Sequence, residues 1–222
     1  MTWFDCNTGG GGGASGARWV YTKERLFAEA GIGASAWRDD TDSVSLYLNG
    51  GSYSAVEGEY VEVNATNQAR YSFAVSGSYN LFGIKCQIDS NFSPAQSNDW
   101  YNCSCVLGCE LGGQQRDFAI IIDKNGYFAL GWANASITSS TVSALDGNDH
   151  ELMILPLSEE ILVFIDGVLE IEQSIVMSGN QFYNAGVFWN NAGQNTRVDG
   201  KIYSVGCWNY DLQTNDYNLP SM

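Results

Sequence analysis

Two antiparallel β-sheets packed face to face, with no helical layer, are what three features of this sequence predict. Apolar and polar residues alternate over short runs, as in EYVEV (59–63), where Val61 and Val63 alternate with Tyr60 and Glu62. Turn signals separate such runs, and Asn125-Gly126 and Asp166-Gly167 are the dipeptides that hairpins favour. No segment sustains a helical period. The 222 residues fit one sandwich domain, and 25 Gly beside 3 Pro suit strands joined by tight turns.

In chain order, residues 1–17 stand apart: Trp3 and Phe4 lead into Gly9 to Gly13. They are expected to form an anchoring segment or linker ahead of a sandwich spanning 18–222. Short strands follow at RWVYT (18–22), RLFAEA (25–30), VSLYL (44–48) and EYVEV. Tyr71, Phe73 and Val75 share a face, and Cys86 falls in register with Phe82, Ile84 and Ile88. After SNFSPAQSND (90–99) comes a cysteine-rich strand, then DFAIIID, a turn at Lys124 to Gly126, and YFALGW (127–132). ELMIL, ILVFID, VLEIEQ, YNAGVFW and KIYSVGCWNY complete the set.

Ten Lys plus Arg against 25 Asp plus Glu leave a net charge of −15, which repels nucleic acid and anionic lipid. A glycan or a cell-surface protein is an easier partner. No stretch approaches the ~18 apolar residues of a membrane-spanning helix. MTWFDCNTGG lacks the basic start and apolar run of a secretory signal, so synthesis in a cytoplasm and reduced thiols are expected.

Six cysteines are present, three of them in NCSCVLGC. Cys103, Cys105, Leu107, Cys109 and Leu111 share one parity, which on a regular strand puts them on one face. Buried thiols are favoured over a zinc site, because C-x-C-x3-C has no second ligand pair and the chain has one histidine. Cys207 is in register with Tyr203 and Val205. No metal or other cofactor is expected. Asp39, Asp40 and Asp42 could serve calcium, but no glycine-set loop or bidentate Glu follows, and a solvated turn is the simpler reading.

Four segments in order resemble the laminin-G-like branch of the concanavalin A-like lectin and glucanase superfamily. They are FAIIIDKNGYFALGW (118–132), LDGNDHELMIL (145–155), EEILVFIDGVLE (159–170) and DGKIYSVGCWNYDL (199–212). The resemblance implies a jelly-roll sandwich and a packing role for His150 at the head of a central strand. It covers roughly residues 70–222 and does not specify a function, since the superfamily holds lectins, glycosidases, adhesion modules and particle proteins.

Catalysis is not expected. His150 has no nucleophile elbow to serve. The glucanase branch uses a Glu-x-Asp-x-Glu line that is absent, and its nearest approach, Glu170 and Glu172, reads as a solvent-facing pair. Sugar binding needs a flat exposed ring beside planar amides. FWNNAGQNTR (188–197) offers Trp189, Asn190, Asn191, Gln194, Asn195 and Arg197, although an ordinary hairpin loop would look the same. A second candidate is the loop of residues 90–102, with Phe92, Asn98, Trp100 and Tyr101. The expectation is a non-enzymatic recognition or structural module, homo-oligomeric and virion-associated. In it, Trp3 and Phe4 anchor to other particle proteins and the sandwich meets a glycan or surface receptor. A glycosidase and a ligand-free particle subunit are the alternatives.

Overall fold

The structure is a computed structural model. It describes residues 17–21, 36–38, 45–48, 54–56, 60–63, 71–74, 81–110, 116–132, 136–157, 159–175, 184–187, 198–208 and 219. Its strands are β1 (Ala17–Tyr21), β2 (Ala36–Arg38), β3 (Ser45–Leu48), β4 (Ser54–Val56), β5 (Tyr60–Val63), β6 (Tyr71–Ala74), β7 (Leu81–Ile88) and β8 (Ser104–Glu110). They continue with β9 (Arg116–Ile122), β10 (Tyr127–Trp132), β11 (Ser136–Ser143), β12 (Asp149–Pro156), β13 (Glu160–Ile165), β14 (Val168–Ser174), β15 (Asn184–Val187) and β16 (Gly200–Trp208). RLFAEA, residues 1–16 and Asp39, Asp40 and Asp42 lie outside the described residues.

These strands form the expected two-sheet antiparallel jelly-roll β-sandwich. One sheet has the order β14-β13-β12-β7-β16-β5-β4, with β1 also paired to β16; the other runs β11-β10-β9-β8-β15-β6-β3-β2. The core between them is built from alternate residues of facing strands. Phe82, Ile84, Cys86, Leu152, Ile154, Val163 and Ile165 on the first sheet meet Leu107, Phe118, Ile120, Ile122, Phe128 and Leu130 on the second. Asp166 (φ 52°) and Gly167 (φ 79°) close the β13–β14 hairpin with two positive φ angles, the geometry that favours Asp-Gly at this turn.

Cysteine parity fails at one residue. Cys105 pairs with Ile121, yet Leu107 pairs with the adjacent Ile120, so Val106 is a β-bulge. The extra residue reverses the alternation. Val106 and Leu107 enter the core between the sheets, while Cys103 and Cys105 join Trp100, Ala119, Ile121 and Ala129 on the outer face of the second sheet. Cys86, Cys103 and Cys105 are buried, as expected of core cysteines. The Cys109 backbone stands opposite Phe118, and Leu111 lies outside the described residues.

That outer face is roofed by Trp100, which opens a single 3-10 turn (Trp100–Asn102) in the loop from β7 to β8. Trp100 is fully buried, so it is not the exposed ring that its loop suggested. Its place depends on Gly131, where a Cβ would lie 2.6 Å from the Trp100 Cβ. The outer face of the first sheet is also apolar at the end away from this loop, with Leu81, Met153, Leu155, Leu162 and Phe164 packed against Leu157 and Leu219.

Gly131→Ala should therefore destabilise the fold by about 1–3 kcal/mol, the usual cost of overpacking. Its cost should shrink in a Trp100→Ala background, itself less stable by about 3–5 kcal/mol. A double-mutant cycle from denaturant unfolding checks this; strict additivity would place Trp100 elsewhere.

Candidate functional site

Strand directions gather the sheet-to-sheet passages at one end. At that end β1, β3, β5, β7, β11 and β15 finish and the next strands in the chain, β2, β4, β6, β8, β12 and β16, begin on the opposite sheet, whereas β6 and β14 finish and β7 and β15 begin at the other end. The β9–β10 and β13–β14 turns join the crowded end. Loops positioned by a rigid scaffold are where binding residues concentrate.

Hydrogen bonds knit this end together. Gln87 Nε2 donates to Gly147 O at 2.6 Å, and Ala144 N donates to Gly126 O at 2.8 Å. Asp89 N donates to Asp199 O at 3.0 Å, and Gln96 Nε2 to Lys124 O at 3.1 Å. The exposed residues are mostly amides and acids: Asp89, Asn91, Gln96, Asn98, Asn125, Asp146 and Asn148, with Lys124 among them.

His150 sits where these loops meet the core. It opens β12, as the resemblance implied, and its ring stands edge-on to Phe128 with centroids 5.2 Å apart. Nδ1 lies 2.8 Å from Asp166 Oδ2 and Nε2 lies 3.1 Å from Asp146 Oδ1. Asp166 Oδ1 also accepts the Glu151 N–H at 2.9 Å. Both ring nitrogens face carboxylates, so neither is left to take a proton from a nucleophile. The cluster can clamp the β11–β12 loop to the β13–β14 hairpin. The carboxylate partners could have been suspected in the sequence, since Asp146 stands four residues before His150 and Asp166 belongs to the Asp-Gly turn.

Two ionisable groups here are perturbed. Burial opposes ionisation of Asp146 but is outweighed by hydrogen bonds from the Asn148 backbone and side chain and from His150, which hold its carboxyl below the usual range. Burial, reinforced by the charges of Asp149 and Asp166, pushes the Cys86 thiol far up and leaves it inert. Asp123, a buried carboxylate, is fully engaged: it accepts Asn125 N at 2.8 Å, Tyr127 N at 3.0 Å and Ser139 Oγ at 2.6 Å.

The two glutamates on β14 flank buried Ile171, as expected, but only Glu172 is simply exposed. Glu170 Oε2 accepts Thr141 Oγ1 at 2.9 Å and Thr141 N at 3.3 Å. With Thr138 Oγ1 donating to Gln173 Oε1 at 2.9 Å, it ties the sandwich edge where β11 meets β14.

Of the predicted binding residues, Trp189, Asn190, Asn191, Gln194, Asn195 and Arg197 lie outside the described residues. Their flanks do not: β15 runs toward the crowded end, and the chain re-enters at Val198 and Asp199 beside Asp89. In the second candidate loop Trp100 is buried and Phe92 packs on the core, while Asn98 is exposed. Among the described side chains at this end the exposed ring is Tyr127, which alternation along YFALGW did not single out. The strands flanking Asp39, Asp40 and Asp42 join at the opposite end. Among the described residues no group of three His, Cys, Asp or Glu side chains is placed to hold a metal.

No protein-family model matches the chain, and no curated protein matches it. Solved structures do. A sialidase of Trypanosoma rangeli in complex with sialic acid is similar at 13% identity and TM-score 0.63, covering 84% of this chain and 30% of that one. Another structure of that sialidase gives 15% identity and TM-score 0.62, again covering 30% of its chain. Domain 4 of AbnA, a GH43 extracellular arabinanase from Geobacillus stearothermophilus, in complex with arabinotriose, is similar at 11% identity and TM-score 0.50, with 79% and 88% covered. The likeness is one of fold: the chain is a β-sandwich of the kind these proteins contain, and it spans less than a third of the sialidase chains.

Asp146 stabilises the folded state while ionised, because its folded-state pKa lies below its unfolded one. That contribution is present above the unfolded value and is lost as pH falls from about 4 downward. Asp146→Asn should lower the denaturant midpoint at neutral pH and flatten the acid limb of midpoint against pH. An unchanged acid limb would remove Asp146 from the clamp.

Proposed function

We propose that the chain is a non-enzymatic, concanavalin A-like, laminin-G-like module that recognises a glycan with the crossover-rich end of its sandwich. One observation carries this reading: six described strands finish at that end with their successors beginning there on the opposite sheet, and exposed amides and both flanks of the amide-rich 188–197 segment lie on it. Amides are planar donor–acceptor pairs that match adjacent sugar hydroxyls. The arabinanase domain, matched over 88% of its length, carries arabinotriose in its structure, which supports the same use here.

The absence of catalysis is part of the proposal. His150 has both ring nitrogens engaged and Glu170 is tied to Thr141, so neither is poised as an acid or base. The finer reading, in which Trp3 and Phe4 anchor the module to a virion or other particle as a homo-oligomer, is supported by the layout of residues 1–17 alone.

Calorimetry and an oligosaccharide array should detect binding in the micromolar to millimolar range, weakened about tenfold by Trp189→Ala. Incubation with the bound sugar should release no reducing ends. Absence of any glycan binding overturns recognition, and sugar release abolished by Glu170→Gln overturns the non-enzymatic assignment.

A further inference from the structure

Tyr127 opens β10 with 40% of its surface exposed. The next residues fix its direction: Phe128 and Leu130 enter the core between the sheets, while Ala129 belongs to the outer-face cluster under Trp100. Alternation therefore puts the Tyr127 ring on the outer face of the second sheet, at the crossover-rich end. Its backbone is held from both sides, since Tyr127 N donates to Asp123 Oδ1 at 3.0 Å and Tyr127 O accepts Asp123 N at 2.9 Å.

Polar groups gather around the same turn with their capacities already divided. Gln96 Nε2 donates to Pro94 O at 3.3 Å and Lys124 O at 3.1 Å, which leaves Oε1 as an acceptor. Asn98 Oδ1 accepts Lys124 Nζ at 2.8 Å, which leaves Nδ2 as a donor. Lys124 keeps two further N–H groups, and the Asn125 side chain is exposed beside it. An exposed flat ring thus follows, three residues on, the Lys124 to which Gln96 and Asn98 are hydrogen-bonded, so part of the ordering a ligand would impose is already made.

We propose that Tyr127, Gln96, Asn98, Lys124 and Asn125 form a binding platform for a neutral sugar, with the tyrosine ring against the sugar's CH face and the amides and ammonium on its hydroxyls. Charge decides for a neutral sugar. Lys124 is offset by Asp123 at the neighbouring position, and the chain as a whole carries −15, so an acidic sugar meets no net local attraction and a repulsive surrounding field. The platform rests on the glycan-binding proposal and gives it a site distinct from residues 188–197.

The test uses the full chain and three probes: arabinotriose, maltotriose and a galacturonate trimer, measured by calorimetry. Wild type should bind a neutral trimer in preference to the acidic one. Tyr127→Leu, which keeps bulk but removes the flat ring, should weaken that binding about tenfold, whereas Tyr127→Phe should stay within about twofold. Asn98→Ala should weaken it with an unchanged melting temperature. Neutral-sugar binding that survives Tyr127→Leu but is lost in Trp189→Ala overturns the platform and leaves glycan recognition standing. Preference for the galacturonate trimer overturns the neutral-sugar assignment, and no binding of any trimer overturns the platform together with the recognition it rests on.

Discussion

Everything in this molecule follows from the need to bury one face of each sheet against the other. Ile84, Cys86, Leu152, Ile154 and Val163 on one side and Phe118, Ile120, Phe128 and Leu130 on the other have no exposure to water. At about 25 cal/mol per Å² of apolar surface, such burial dominates the favourable side of folding. Once two sheets must face each other, a single chain has to pass between them repeatedly. The antiparallel order of the described strands brings six strand ends, and the starts of their successors on the opposite sheet, to one end. The crowded, polar end is therefore a consequence of how the core is closed.

Polar groups at that end are spent largely on architecture. Asp123 organises the β9–β10 turn, and Asp146 and Asp166 hold His150 against Phe128 at the boundary between core and loops. A carboxylate whose oxygens are taken by backbone N–H groups and a neighbouring imidazole is a structural element, whatever its chemistry elsewhere. Among the described residues, the exposed amides and the Tyr127 ring remain at this end, and the glycan proposal rests on them. The β11–β14 edge, with Glu170 tied to Thr141, belongs to the scaffold in the same sense.

Much of the fold was legible because alternation and turn chemistry are local. Val61 and Val63 mark β5, and Asp166-Gly167 adopts the two positive φ angles its residues favour. The bulge at Val106 reverses the parity that Cys103 and Cys105 would share with Leu107, because an inserted residue leaves no trace in alternation. The burial of Trp100 is illegible for a different reason: it depends on the absent side chain of Gly131, some thirty residues on, and no local pattern records that. SITSSTVS carries no apolar alternation because its polar residues serve a sheet edge, where they bond across to Glu170 and Gln173. At the crossover-rich end the exposed amide Asn98 is legible in the sequence and the exposed Tyr127 ring is not, since Tyr127 is brought there by a different hairpin.

Amide chemical-shift mapping of the isotope-labelled full chain, titrated with the neutral oligosaccharide it binds best, tests the central claim directly. The account predicts perturbations confined to the crossover-rich end: residues 89–102, 123–127, 144–149 and the 188–199 link. Shifts concentrated along the β11–β14 edge or at the opposite end of the sandwich would contradict it.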